Sequence, residues 1–470
     1  MSSSSSSSST VLFPTAPREA LVKAYVGQGL LEGVVSTPAA VINVAAVRRN
    51  CQRMLETCAE LGLAWRAHVK THKTVELMRL QVGDKGPVRL VVSTLAEAEF
   101  LLPALLDFGR QGRAVNVLYG LPLARGAVSR LAAIAKALGP GAISVLLDDP
   151  TQVAVAEALA DEADDAPLTL IKIDMGGRRA GVTVDGARLM ALADAVLDAH
   201  RRRRLVLAGL YSHAGHSYSG RSRRDAVRML AAELHALGAG AERIRHRAGH
   251  ERLSLTLSVG ASPTALAAQN LAVDDDQQDA SSPELEAETT SLTRLLSTIR
   301  ARGLSIELHA GVYPVLDLQQ LAARSIGPDR LSWSDLALTI LADIHTIYPD
   351  RGPANSTEAL IGAGSLALGR EPCGAYQGWA MVKPSKLPTD NDLADFRGWI
   401  VSRLSQEHGV LSWSGDAGDD VILCPGQRLR LWPNHACIAS SHFGWYLVVD
   451  EDRKGREDEV VDVWVRARGW

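Results

Sequence analysis

Lys70, within Trp65-Arg66-Ala67-His68-Val69-Lys70-Thr71-His72-Lys73-Thr74, is a candidate for covalent chemistry. It lies on what reads as a barrel strand, where a charged side chain facing the interior is costly unless it is used. A lysine held there loses its proton readily and can form a Schiff base with a carbonyl cofactor. The same stretch also reads as a loop of exposed basic residues. A second cluster, Gly209-Leu210-Tyr211-Ser212-His213-Ala214-Gly215-His216-Ser217-Tyr218, follows an apolar run directly. Two tyrosines, two histidines and two serines at a strand end are poorly explained by packing. Between them, Lys172-Ile173-Asp174-Met175-Gly176-Gly177-Arg178-Arg179 closes an apolar run with a glycine-rich turn, either a ligand-holding loop or an ordinary strand-to-helix connection. Ser258-Val259-Gly260-Ala261-Ser262-Pro263-Thr264 places small residues after a strand, which suits backbone N–H groups that cradle a phosphate. In Trp432-Pro433-Asn434-His435-Ala436-Cys437, the His and Cys stand two apart on an extended run and share a face. Imidazole with thiolate suits zinc, in a site left open to substrate; the spacing also arises by chance.

These residues need elements to position them. Apolar runs at 41–44, 90–93, 116–119, 143–147, 168–173, 206–211 and 253–259 alternate with helical patterns such as 47–61, 95–108 and 224–237. That alternation predicts βαβ units and a parallel sheet. So many repeats, without a strong Gly-x-Gly-x-x-Gly turn after the first run, favour a closed (β/α)8 barrel over a dinucleotide-binding sheet. After residue 320 the runs shorten and are broken by Gly, Pro, Asp and Asn, a mostly-β texture. The expected organisation is a disordered serine-rich leader over 1–20, a barrel over 21–320 and a β-rich domain over 321–470. The acidic stretch 273–290, which lacks aromatics, reads as a surface insertion, and the arginine run 201–204 as a solvated helix end.

Composition sets the outer limits. With 470 residues, 46% apolar and 22% charged, the chain is neither a disordered nor a collagen-like nor a disulfide-scaffold protein. Fifty basic against fifty-three acidic residues leave a net charge of -3, so no overall field draws it to nucleic acid. No apolar run approaches the roughly 18 to 20 residues that span a bilayer, so no membrane partner is expected. Five cysteines without a CxxC pair point to a reducing compartment; Cys51, Cys58, Cys373 and Cys424 read as packing or surface residues. The serine run 2–9 lacks the features of a signal peptide, which leaves the cytoplasm as the expected location.

Taken together and in order, His68-Val69-Lys70-Thr71-His72-Lys73, the segment from Tyr211 to Tyr218, Ser405-Gln406-Glu407-His408-Gly409 and Pro433-Asn434-His435-Ala436-Cys437 resemble the eukaryotic D-serine dehydratase family. This is the D-serine dehydratase-like branch of the pyridoxal phosphate enzymes with the alanine racemase fold, and the resemblance runs over 37–450. It implies an α/β architecture: a pyridoxal-phosphate-binding (β/α)8 barrel of alanine racemase type followed by a mostly-β domain, in a homodimer. It implies that Lys70 carries the cofactor as a Schiff base, that Tyr211 and Tyr218 contact it, and that Gly260, Ala261 and Ser262 hold its phosphate. His435 and Cys437 match the positions that bind zinc in the dehydratases. The implied reaction converts D-serine to pyruvate and ammonia. The alternative is retro-aldol cleavage of β-hydroxy D-amino acids, as in the similar D-threonine aldolases, which carry Asp where this chain has Cys437. The chain departs from the family pattern at Gly362, where Asp is usual, and at Val312, where Asn is usual, which leaves substrate preference open.

Overall fold

The computed structural model describes residues 17–32, 35–272, 282–389, 391–416 and 421–470. The serine run 2–9 and Asp274 to Asp276 lie outside the described residues. A first strand, β1 (Ala39–Asn43), leads into the helix Val44–Glu60, whose start Asn43 caps by accepting from Ala45 N at 3.1 Å. Eight parallel strands then close a barrel: β2 (Ala64–His68), β3 (Val88–Val92), β4 (Val115–Pro122), β5 (Ile143–Leu147), β6 (Leu168–Lys172), β7 (Val206–Tyr211), β8 (Thr256–Val259) and β9 (Ser305–Ala310). Strands such as β5 are buried along their whole length, as parallel strands under a jacket of helices must be. Thr74, Thr94, Ser222 and Ser282 cap four of those helices with their hydroxyl oxygens.

The chain then builds β10 (Leu338–Tyr348), β11 (Glu358–Ile361), β12 (Ala380–Val382), β13 (Trp399–Leu404), β14 (Gly409–Trp413), β15 (Arg428–Pro433), β16 (Trp445–Val449) and β17 (Val460–Val465). These join β1 in a nine-stranded sheet of order β11-β14-β13-β12-β15-β10-β1-β16-β17. The expected barrel with a mostly-β region after it is therefore present, with corrections. The run 41–44 is not a barrel strand: β1 pairs antiparallel with β10 and parallel with β16. Its apolar residues serve two cores, Ile42 facing the main one and Val41 packing with Leu341 and Leu447. The strands that complete the barrel are 64–68 and 305–310. The helix Arg18–Tyr25 begins inside the stretch read as a leader, and the later half of the acidic stretch is the start of the helix Pro283–Ala301. Glu284 and Glu286 sit in that helix's first turn, where they complement its dipole. The arginine run is a solvated helix end, with Arg202 paired to Glu157 and Asp198 and Arg204 to Asp161.

Candidate active site

β2 stops at His68, and Lys70 follows in a turn two residues beyond the strand rather than on it. The second sheet grips this turn. The Thr71 carbonyl accepts from Ser440 Oγ at 3.2 Å, Tyr446 OH at 3.3 Å and Arg466 at 3.3 Å. Arg466 also donates to the His72 carbonyl at 3.0 Å, and Ala467 N to that of Lys73 at 2.8 Å. Lys73 pairs with buried Glu97 at 3.1 Å, and His72 bonds Thr74 at 3.1 Å and Gln81 at 2.9 Å. Both are committed to the structure, whereas among the described residues the Lys70 side chain has no hydrogen bond or ion pair.

Lys70 opens into a chamber of about 520 Å³ at the C-terminal mouth of the barrel, lined also by His68, Lys172, Arg179, Tyr211 and His213. A second cavity of about 390 Å³ shares Lys172, Arg179 and His213 with it. The Tyr211 ring stacks on His309 at 4.2 Å, and Lys172 Nζ lies 4.7 Å from its centroid. Burial, with Arg179 adding to it, pulls the Lys172 amine down to about 8. Among the described residues neither the Lys172 nor the Arg179 side chain has a hydrogen bond or ion pair, so two cationic groups remain for an anionic occupant. His213 Nδ1 donates to the Gly260 carbonyl at 2.8 Å, and burial keeps His68 and His213 well below the ordinary imidazole range, hence neutral. An amine on a pinned turn, facing unpaired cations and neutral imidazoles, fits pyridoxal phosphate with an amino acid.

Tyr218, Ser262, His435 and Cys437 form an adjoining cluster. Tyr218 stacks parallel to His435 at 6.0 Å, and its hydroxyl is raised by burial, by Cys437 and by Asp317, with hydrogen bonding to Ser262 opposing. Gln319 Oε1 sits 2.6 Å from His435 Nδ1, which fixes Nδ1 as an N–H and makes Nε2 the nitrogen that a metal could reach by displacing its proton. Burial alone would lower His435 and raise Cys437. Their mutual hydrogen bond and charge outweigh it, pushing the imidazole up to about 9 and the thiol below its ordinary value. Cys437 Sγ is 3.1 Å from Thr71 Oγ1, beside Lys70. Among the described residues no three His, Cys, Asp or Glu side chains gather as a metal site. The donor pair itself fits a soft divalent metal in an open site, since its thiol is acidified and its imidazole oriented.

Gly260 needs to be glycine: its φ is +146°, and a Cβ would lie 2.1 Å from the His309 carbonyl oxygen. Of the suspected phosphate cradle, Ala261 N already donates to Thr264 Oγ1 at 2.8 Å, and Ser262 Oγ accepts from Val312 N at 3.1 Å. Lys172 and Arg179 belong to the turn that the sequence offers as a ligand-holding loop, and the structure brings both to the chamber, whereas the sequence reading gives His68, Gln319 and Asp317 no role. His68 could have been found from its place at a strand end; Gln319 and Asp317 carry no local signal. Asp317, which accepts from Ala436 N at 2.8 Å, ties the His435 turn to the barrel. The other four cysteines are as expected, three buried and Cys424 exposed.

The same chain order recurs in known proteins. The D-serine dehydratase of Schizosaccharomyces pombe is 35% identical over 458 residues, covering 96% of both chains. The chain belongs to the D-serine dehydratase family. The serine dehydratase domain family matches residues 337–449, and the alanine racemase N-terminal domain family matches 42–275. The D-serine dehydratase of Saccharomyces cerevisiae is 29% identical, over 92% of this chain and 96% of its own. Among solved structures, D-threo-3-hydroxyaspartate dehydratase from Delftia sp. HT23 is 26% identical, with a TM-score of 0.70 over 94% of this chain and all of its own. Further solved forms of that enzyme replace a cysteine by alanine, in a metal-free form, and a histidine two positions earlier by alanine. Membership of the D-serine dehydratase family makes this chain an enzyme of the lyase class, and its alanine racemase fold implies pyridoxal phosphate.

Proposed function

We propose that this chain is a pyridoxal-phosphate- and zinc-dependent D-serine dehydratase that makes pyruvate and ammonia. The observation that carries the reading is the His435–Cys437 pair, oriented by Gln319 and in contact with Thr71 next to Lys70. It brings a metal-ligating couple to the chamber's reactive amine, and replacements at a His and a Cys with the same spacing were studied in the related dehydratase. Pyridoxal phosphate, when bound, supplies an electron sink for the Cα carbanion of an amino acid. Lys70 holds it and afterwards takes the proton from Cα. Tyr211 and Tyr218 would flank it, the Gly260-Ala261-Ser262 turn would receive its phosphate once Ala261 N and Ser262 Oγ exchange their present partners for it, and Lys172 and Arg179 would supply positive charge for the anionic groups of the bound pair. His435 and Cys437 would hold zinc, which would supply Lewis acidity at the substrate's β-hydroxyl. With the hydroxyl gone, Lys70 would take the cofactor back, and the freed fragment would add water and lose ammonia to give pyruvate.

Cys437 favours dehydration over the aldol alternative, because a thiolate is a softer ligand than the aspartate of D-threonine aldolases. The homodimer and the cytoplasmic location implied by the family belong to the same reading. No helix among the described residues is long and apolar enough to cross a membrane. The test is a product assay with D-serine and D-threonine, with and without chelator. Pyruvate from D-serine, lost on chelation, is expected. Glycine plus an aldehyde as the main products, or full pyruvate formation without metal, overturns the proposal.

A further inference from the structure

Beneath the chamber the barrel interior is polar, where layers of aliphatic side chains are the rule. Arg66 on β2, Ser258 on β8, and Glu307 and His309 on β9 are all buried there. Arg66 Nε donates to Glu307 Oε1 at 2.7 Å, and Arg89 approaches Oε2 at 3.5 Å. Ser258 Oγ donates to Glu307 Oε1 at 2.9 Å and lies 3.1 Å from His309 Nδ1. At the other edge of the ring, His309 Nε2 is buried without a hydrogen-bond partner among the described residues, while the ring face stacks on Tyr211.

We infer that Glu307, acting through Ser258, fixes His309 as the Nδ1-protonated neutral tautomer, and that this relay sets the ring on which Tyr211, a wall of the chamber, is stacked. A hydroxyl has one proton and a carboxylate bound by two guanidinium groups can only accept. Ser258 therefore gives its proton to Glu307, and its oxygen accepts from His309, so the proton of the imidazole sits on Nδ1. Burial holds His309 well below the ordinary imidazole range, which excludes the doubly protonated ring. The competing arrangement places the proton on Nε2, toward the Gly260 carbonyl. It requires Ser258 to turn its proton away from Glu307, and although that carbonyl lies toward the ring and can accept a second bond besides the one from His213 at 2.8 Å, Nε2 does not reach hydrogen-bond geometry with it. Tyr211 is the link to the site, since it lines the chamber and stacks on this ring, so Glu307 and Ser258 are positioning residues for the reaction although neither they nor His309 lines the chamber.

The last step rests on the proposed function; the tautomer does not. The experiment uses the full chain labelled with ¹⁵N-histidine and prepared without cofactor, with the His309 resonances assigned by their loss in His309→Gln. An Nδ1-protonated ring is expected in the wild type and a mixed or Nε2-protonated ring in Ser258→Ala, with Ser258→Thr restoring the first pattern. In the loaded enzyme, Ser258→Ala should lower kcat by roughly tenfold, the scale of outer-shell partners, with KM little changed and recovery in Ser258→Thr. Melting curves of each variant separate this from a folding defect. A wild-type ring protonated on Nε2, or a Ser258→Ala enzyme with unchanged ring signals and kcat, overturns the inference. Failure to turn over D-serine with the ring as expected overturns the substrate assignment instead.

Discussion

At the scale of single residues, the two lysines of the β2 turn have opposite fates. Lys73 is tied to Glu97 at 3.1 Å, whereas Lys70 faces the chamber. Lys70→Ala should abolish the visible absorbance of the purified enzyme and leave its melting temperature nearly unchanged. Lys73→Ala should keep that absorbance but lose about 1–3 kcal/mol in urea titrations, because buried Glu97 is left without its counter-charge. The reverse pattern would move the assignment to Lys73. Cys437 is a matching case among ligands. Cys437→Ala should retain the cofactor band, remove most pyruvate formation and bind little zinc by elemental analysis, with the fold intact, since a two-ligand site does not hold a domain together.

At the scale of elements, the active turn is only as rigid as its contact with the second sheet. Arg466, just past β17, reaches the carbonyls of Thr71, His72, Ser440 and Phe443. Arg466→Ala would leave several buried carbonyls unmatched and cost about 3 kcal/mol. It should also weaken cofactor retention in dialysis, although Arg466 lies outside the chamber lining. Normal retention in a destabilised variant would show that the turn holds its shape without the sheet. The two sheets are thus coupled at the reactive lysine, and β1, threaded between β10 and β16, couples them again from the other end of the chain.

For the whole molecule, buried histidines set an acid limit on stability. Burial brings His72 down to about 3, although a hydrogen bond to Gln81 opposes it. An unfolded histidine takes up its proton near pH 6.5, so between about pH 6.5 and 3 the unfolded chain binds more protons than the folded one. Stability is therefore undiminished by this group above pH 6.5 and falls as the pH drops through that window. His68, His213 and His309 are shifted in the same direction by burial. Urea midpoints should decline from pH 7 to pH 5, and His72→Gln should reduce the slope by about one proton at most. An unchanged slope would mean that His72 protonates in the folded state.

How much of this was legible in the chain depends on what local pattern can report. Alternating apolar runs and helical periods identified the barrel, and clusters of reactive residue types at strand ends identified Lys70, Tyr211, Tyr218, His435 and Cys437 as candidates. Those features depend on near neighbours, so they survive in one dimension. The run 41–44 was misplaced because a short apolar stretch reads the same in a parallel barrel and in the middle of another sheet: burial on both faces leaves one pattern. The completing strands 64–68 and 305–310 carry Arg66, Glu307 and His309, polar residues that the barrel interior pairs with one another and that break the apolar signal. Contacts such as Thr71 with Cys437, 366 positions apart, leave no periodicity at all. The sequence determined which side chains were available, and only the closure of one sheet onto the other decided which of them meet, because a contact across the fold depends on geometry that no neighbouring residue encodes.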